Sequence, residues 1–184
     1  MVVKRIAIFL GLTILHLACT PEVDKTSKIQ FFPWANYLNT QIDSLKKRPV
    51  VVQKLINLDG KKEQKNLSSI DWKQEWSMFL HADLNTPAAA SSYENLSEDG
   101  LIYYSLKSGE DLPVKKLAIY LDALDRPEKV EIVIEEKNFL FESQKKLHMN
   151  FSGGKVQTYS IDGIQQMRWM SPTKYQLMGI LLPK

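Results

Sequence analysis

The sequence predicts an α+β fold: a curved antiparallel β-sheet, a meander, packed against two N-terminal amphipathic helices. Three observations lead there. Apolar residues recur at helical spacing in two stretches of the first half. Extended runs separated by short turn-forming connections fill the second half. Within those runs Leu147, Met149 and Phe151 alternate with Lys146, His148 and Asn150, the two-residue period of a sheet with one dry face.

Before that domain the chain has a different character. Lys4 and Arg5 precede the apolar run IAIFLGLTIL, and small residues lead to Cys19, the single cysteine. This is the layout of a secretory signal peptide. The run is about a dozen residues, whereas a bilayer-spanning helix needs roughly 20. Leu17-Ala18-Cys19 resembles the lipobox of bacterial lipoproteins, with His16 where that pattern prefers leucine. The resemblance covers about the first 20 residues. It implies removal of residues 1–18, transfer of a diacylglycerol to the Cys19 thiol and acylation of the new amino terminus by palmitate or a similar chain. Thr20 is not the aspartate that marks inner-membrane retention in that class, so the resemblance implies an outer-membrane address. Two or three acyl chains anchor a protein stably, since each buried methylene contributes about 0.8 kcal/mol. The later order DWKQEW, ADLNTPA, YSIDGIQQMRW and KYQLMGIL is similar to uncharacterised bacterial lipoproteins as a type and implies no activity.

Charge narrows the partners. Of 24 basic residues two lie in the signal, leaving 22 against 21 acidic side chains. With no clustered positive face, nucleic acid is not an expected partner. Residues 19–30 are polar and aperiodic, a tether, and residues 31–184 are long enough for one domain with a sizeable core.

Each element of that domain has a local reason. Trp34, Leu38, Ile42 and Leu45 share a helical face, with Pro33 suited to the start, Lys46, Lys47 and Arg48 to the C-terminal dipole, and Pro49 as a stop. VVVQKLINL, Asp59-Gly60 and KKEQKNL read as strand, type I′ turn and a charged edge strand. A second helix is predicted from a capping box at Ser68 and Asp71, with Trp72, Trp76, Phe79 and Leu80 on one face and Asp83 in line with them. The strands then follow as LIYYSLK, VKKLAIYLD, KVEIVIEE, FLFESQKKLHMNF, KVQTYSIDGIQQMRWM and YQLMGILL, with Gly163 read as a bulge.

The catalytic inventory is thin. Beyond the signal there are two histidines, His81 and His148, neither with a neighbour at metal-ligand spacing, and neither a nucleophile elbow nor a phosphate-cradling glycine loop is present. No metal, cofactor or catalytic residue is expected. Three functional readings follow. A non-enzymatic envelope module would bind a protein partner through exposed aromatics such as Trp34, Trp72, Trp76 or Trp169, and through the junction after the second helix, where Asp83, Asn85 and Tyr93 stand in a long loop. A carrier would hold a lipid or other apolar ligand in a cavity lined by Phe139, Phe141, Met149, Tyr159 and Trp169; half-barrel carriers share the predicted architecture, an analogy of fold. A hydrolase would draw on the loop carboxylates Glu94, Glu98, Asp99, Asp122 and Asp125.

Overall fold

A computed structural model describes residues 31–48 and 50–183; Cys19, the signal and the tether lie outside the described residues. The chain runs from α1 (Trp34–Lys46) into β1 (Val50–Leu58) and β2 (Lys61–Leu67), then through two single-turn helices, α2 (Trp72–Glu75) and α3 (Ser77–Leu80). A meander completes it: β3 (Tyr93–Asn95), β4 (Leu101–Leu106), β5 (Val114–Leu121), β6 (Pro127–Lys137), β7 (Phe141–Ser152), β8 (Lys155–Met167) and β9 (Thr173–Pro183). The coarse α+β expectation holds, with the weight on β: a single open sheet of nine strands in the order β2-β1-β9-β8-β7-β6-β5-β4-β3. Neighbours pair antiparallel throughout, and only the β9–β1 contact joins strands distant in sequence.

Pairing register explains the dry face. Tyr104, Leu117, Ile132, Leu147, Ile161, Leu177 and Ile56 stand directly opposite one another across seven strands. The neighbouring row is Ile102, Ile119, Val130, Met149, Tyr159, Gly179 and Lys54. Most of these are buried with the α1 stripe Trp34, Leu38, Ile42 and Leu45 and with Trp72, Trp76 and Phe79 in one core. The Trp34 indole donates to the Phe79 carbonyl at 2.7 Å, and Tyr37 of α1 meets Phe151 of β7 edge-on at 5.7 Å.

Three sequence expectations need correction. The second helix is two short ones, broken at Trp76, and Asp71 alone caps it by accepting from the backbone amides of Lys73 and Gln74. Spacing could not show the break, because Trp72, Trp76 and Phe79 fall on one side of either arrangement. Gly163 is no bulge: it pairs in register with Lys145 and Tyr175. A β-carbon there would lie 2.2 Å from Tyr175 Cζ, so the glycine accommodates a ring on the next strand that lies across it. Finally, β7 begins at Phe141 and β8 ends at Met167, which leaves Phe139, Leu140, Arg168, Trp169 and Met170 in turns rather than in the sheet.

Candidate functional site

Those turns form the most distinctive surface of the domain. Because β7 and β8 are neighbours, with Phe141 opposite Met167, the β6–β7 and β8–β9 hairpin tips lie side by side at one end of the sheet. The Arg168 amide donates to the Leu140 carbonyl at 2.9 Å, fastening one tip to the other. Asn138 closes the first turn: its side-chain oxygen accepts from the Leu140 and Phe141 amides at 2.8 and 3.0 Å. The Arg168 guanidinium sits 4.0 Å from the Phe139 ring centroid and 4.9 Å from that of Trp169. Phe139 is 74% exposed and Trp169 85%, and Leu140, Met167 and Met170 are exposed beside them. Trp169 also has φ +65°, a left-handed conformation that bulky side chains avoid.

The remaining predicted site residues are placed elsewhere. Met149 and Tyr159 are core, under Trp76 and Phe79, so the five residues expected to line one cavity are divided between the interior and the tips. Phe141 is half-buried where β7 starts, beside the tips. Trp34, Trp72 and Trp76, offered as exposed contacts, are buried, and Trp169 alone of the four tryptophans is exposed. The amphipathic spacing already accounted for the three, since such a stripe is more often core than platform.

Asp83, Asn85 and Tyr93 do come together, as a brace. The Asn85 side chain accepts from the Phe31 amide at 3.3 Å and donates to the Phe32 carbonyl and to Asp83 Oδ1 at 3.1 and 3.0 Å. Phe31 packs edge-on against Tyr93 and Tyr104, and the Tyr93 hydroxyl donates to the Val114 carbonyl at 2.7 Å. Burial pushes the Tyr93 phenol up to about 12. The polar groups here are occupied in seating the start of the domain against β3 to β5. Of the hydrolase candidates, Asp122 is engaged by Arg126, whose side chain and backbone hydrogen bonds hold its carboxyl down to about 2.

A polar group that sequence reading missed lies under the helices. Lys54 Nζ stands 2.8 Å from Glu75 Oε2, both side chains 14% exposed, and the Tyr159 hydroxyl donates to Glu75 Oε1 at 2.6 Å. Burial, followed by that carboxylate, raises the Tyr159 pKa. The Tyr159 ring crosses Gly179, where a β-carbon would lie 2.1 Å from Cζ, and so reaches toward Lys54 on the next strand. The only sequence sign was a lone lysine on the dry side of a strand.

Grooves of about 470 and 540 Å³ open on the opposite, polar face of the sheet, lined chiefly by Asn57, Lys146, Asp162 and Gln176 and by Leu55, Gln64, Ser160 and Met178. No group of three or more possible metal ligands occurs among the described residues. Comparison with protein-family models, with curated proteins and with solved structures gives no match for this chain.

Proposed function

We propose that this chain is a non-catalytic binding module of the bacterial cell envelope, held to the outer membrane by acylated Cys19, with the paired hairpin tips as its contact surface. The supporting observation is the exposed Phe139–Arg168–Trp169 stack in a domain whose other tryptophans are all inside. Aromatic and arginine side chains dominate binding hot spots, and leaving them in water has no benefit to folding. In this reading the sheet curves around the helical layer, which fills the interior instead of leaving room for a ligand. The carrier alternative needs that layer to move away from Met149 and Tyr159.

Two measurements test the proposal. Cells fed a clickable fatty acid should label the wild-type protein and not Cys19→Ala; an unlabelled wild type removes the anchor. A photoreactive benzoylphenylalanine placed at Phe139 or Trp169 in intact envelopes should yield adducts, and a lack of any adduct at both sites refutes the tips as the contact surface.

A further inference from the structure

We infer that the two tips enter the lipid–water interface of the bilayer to which the chain is anchored, an inference that rests on the tips being the contact surface and names their partner. Chemistry favours lipid. The tip segments NFLF (138–141) and MRWMSP (167–172) contain no acidic residue. They combine aromatic rings, the apolar chains of Leu140, Met167 and Met170 and one arginine, side chains that partition to the headgroup level with the ring and stem in the acyl boundary and the cation among phosphates. Arg168 lies against both rings, so its charge and their apolar surface are presented together. The nearest carboxylate of β7, Glu142, is already paired with Lys137 at 3.0 Å.

Shape points the same way. The two turns extend past the last ladder pair, Phe141–Met167, are fastened by the Arg168–Leu140 and Asn138 hydrogen bonds, and leave only an open groove of about 220 Å³ between them, a projecting end that fits a deformable medium. Trp169 is held at φ +65° with its side chain outward, a conformation that a turn needing only to reverse the chain would assign to glycine.

Reach permits it. Phe31, where the described chain begins, packs on Tyr104, three strands from Leu147 in the same cross-sheet row. From that row the tips are six residues along β7, about 20 Å, and three strand spacings across, about 15 Å. Residues 19–30 can extend to roughly 40 Å. A Cys19 anchor and both tips can therefore engage one bilayer.

The experiment uses the full chain in vesicles of phosphatidylethanolamine and phosphatidylglycerol, with benzoylphenylalanine at position 139 or 169. The control position is 124, where Leu124 is 69% exposed in the β5–β6 turn at the other end of the sheet. Mass spectrometry after irradiation should find lipid adducts at 139 and 169 and none at 124. All three sites are outside the core, and the fluorescence of buried Trp34 and Trp76 verifies folding in each variant. Lipid adducts at 139 and 169 no more frequent than at 124 overturn the inference. If the same sites then yield protein adducts in native envelopes, the contact-surface reading stands with a protein partner; if they yield nothing, both readings fall.

Discussion

Alanine in place of Gly179 should destabilise the domain far more than alanine in place of Gly163, although the two local clashes are nearly equal. The new β-carbon would sit 2.1 Å from Tyr159 Cζ in the first case and 2.2 Å from Tyr175 Cζ in the second, so in both a ring must move by more than 1 Å. The difference lies in what holds each ring. Tyr159 is 1% exposed, wedged edge-on against Trp76 and Phe79, and bonded to Glu75. Its displacement adds an overpacking cost of about 1–3 kcal/mol to the loss of a charge-assisted hydrogen bond, about 1.5–3 kcal/mol. Alanine returns about 0.5–1 kcal/mol of backbone entropy relative to glycine in a strand. The expected net loss is about 3 kcal/mol. Tyr175 is half-buried at the margin of the core and can turn toward solvent, so Gly163→Ala should cost about 1 kcal/mol or less. Urea unfolding followed by tryptophan fluorescence measures both, and an unchanged m-value shows that the native stability is what moved. In a Tyr159→Leu background, Gly179→Ala should be almost free, the non-additivity expected of residues in contact. Equal penalties at the two glycines, or a penalty at Gly179 that survives removal of the Tyr159 ring, would refute the reasoning.

Three further outcomes are expected. Glu75→Gln leaves Lys54 facing a neutral amide under the helices and should cost about 2–4 kcal/mol in the same urea assay, whereas Lys54→Met combined with Glu75→Leu and Tyr159→Phe, which leaves none of the three polar partners orphaned, should recover most of it. Asp122 should titrate near 2 by NMR in the wild type and higher in Arg126→Gln, yet still below the ordinary 3.8, because the Leu124 and Arg126 backbone amides go on donating to it. Because its folded pKa is depressed, this group favours the native state above the ordinary value and loses that effect as pH falls from about 4 to about 2. Trp169→Gly relieves a left-handed strain of about 1–2 kcal/mol, forfeits an exposed cation–π contact of about 0.5 kcal/mol and adds a backbone-entropy cost of about 0.5–1 kcal/mol, so thermal melts should show a stability within about 1 kcal/mol of the wild type and not lower by more. A variant destabilised beyond that would mean the tip has a structural role instead.

How much of this was legible in the sequence differs by element. Period-two alternation located β7 through Leu147, Met149 and Phe151, and the stripe Trp34, Leu38, Ile42 and Leu45 gave α1, because each pattern reports a single long element against a single dry face. The Asp59-Gly60 turn was readable because both residues need positive φ, and they have 48° and 88°. Strand ends were not readable. FLF and MRWM continue an apolar pattern past the last ladder pair, and only register shows that Phe139 and Trp169 lie beyond it. For the same reason Phe139 and Trp169 were named, but grouped with Met149 and Tyr159 as a cavity lining. Arg168 was missed altogether, since its place between two rings depends on which hairpin tips become neighbours. An aromatic-rich turn was the available signal: hairpin turns ordinarily favour glycine, asparagine and aspartate, and these two carry Phe, Leu, Trp and Met.

The energetics of the interior bear on which surface does the work. Admitting an apolar ligand beneath the helices would withdraw Trp34, Leu38, Ile42, Trp76 and Phe79 from a core in which each is fully buried. At about 1.5–3 kcal/mol per large apolar side chain, that is roughly 10 kcal/mol, comparable to the whole stability of an ordinary domain at 5–15 kcal/mol. The Trp34–Phe79 hydrogen bond would be lost as well, and a ligand would have to restore all of this burial before it gained net affinity. The hairpin tips carry no such cost. Their rings are already in water, their backbone is already fastened across the two turns, and contact with an interface removes apolar area from solvent without first exposing any. For the proposed binding role, a filled interior therefore favours the tips over the core, and Phe139 and Trp169 rather than Tyr159 are the positions that test it.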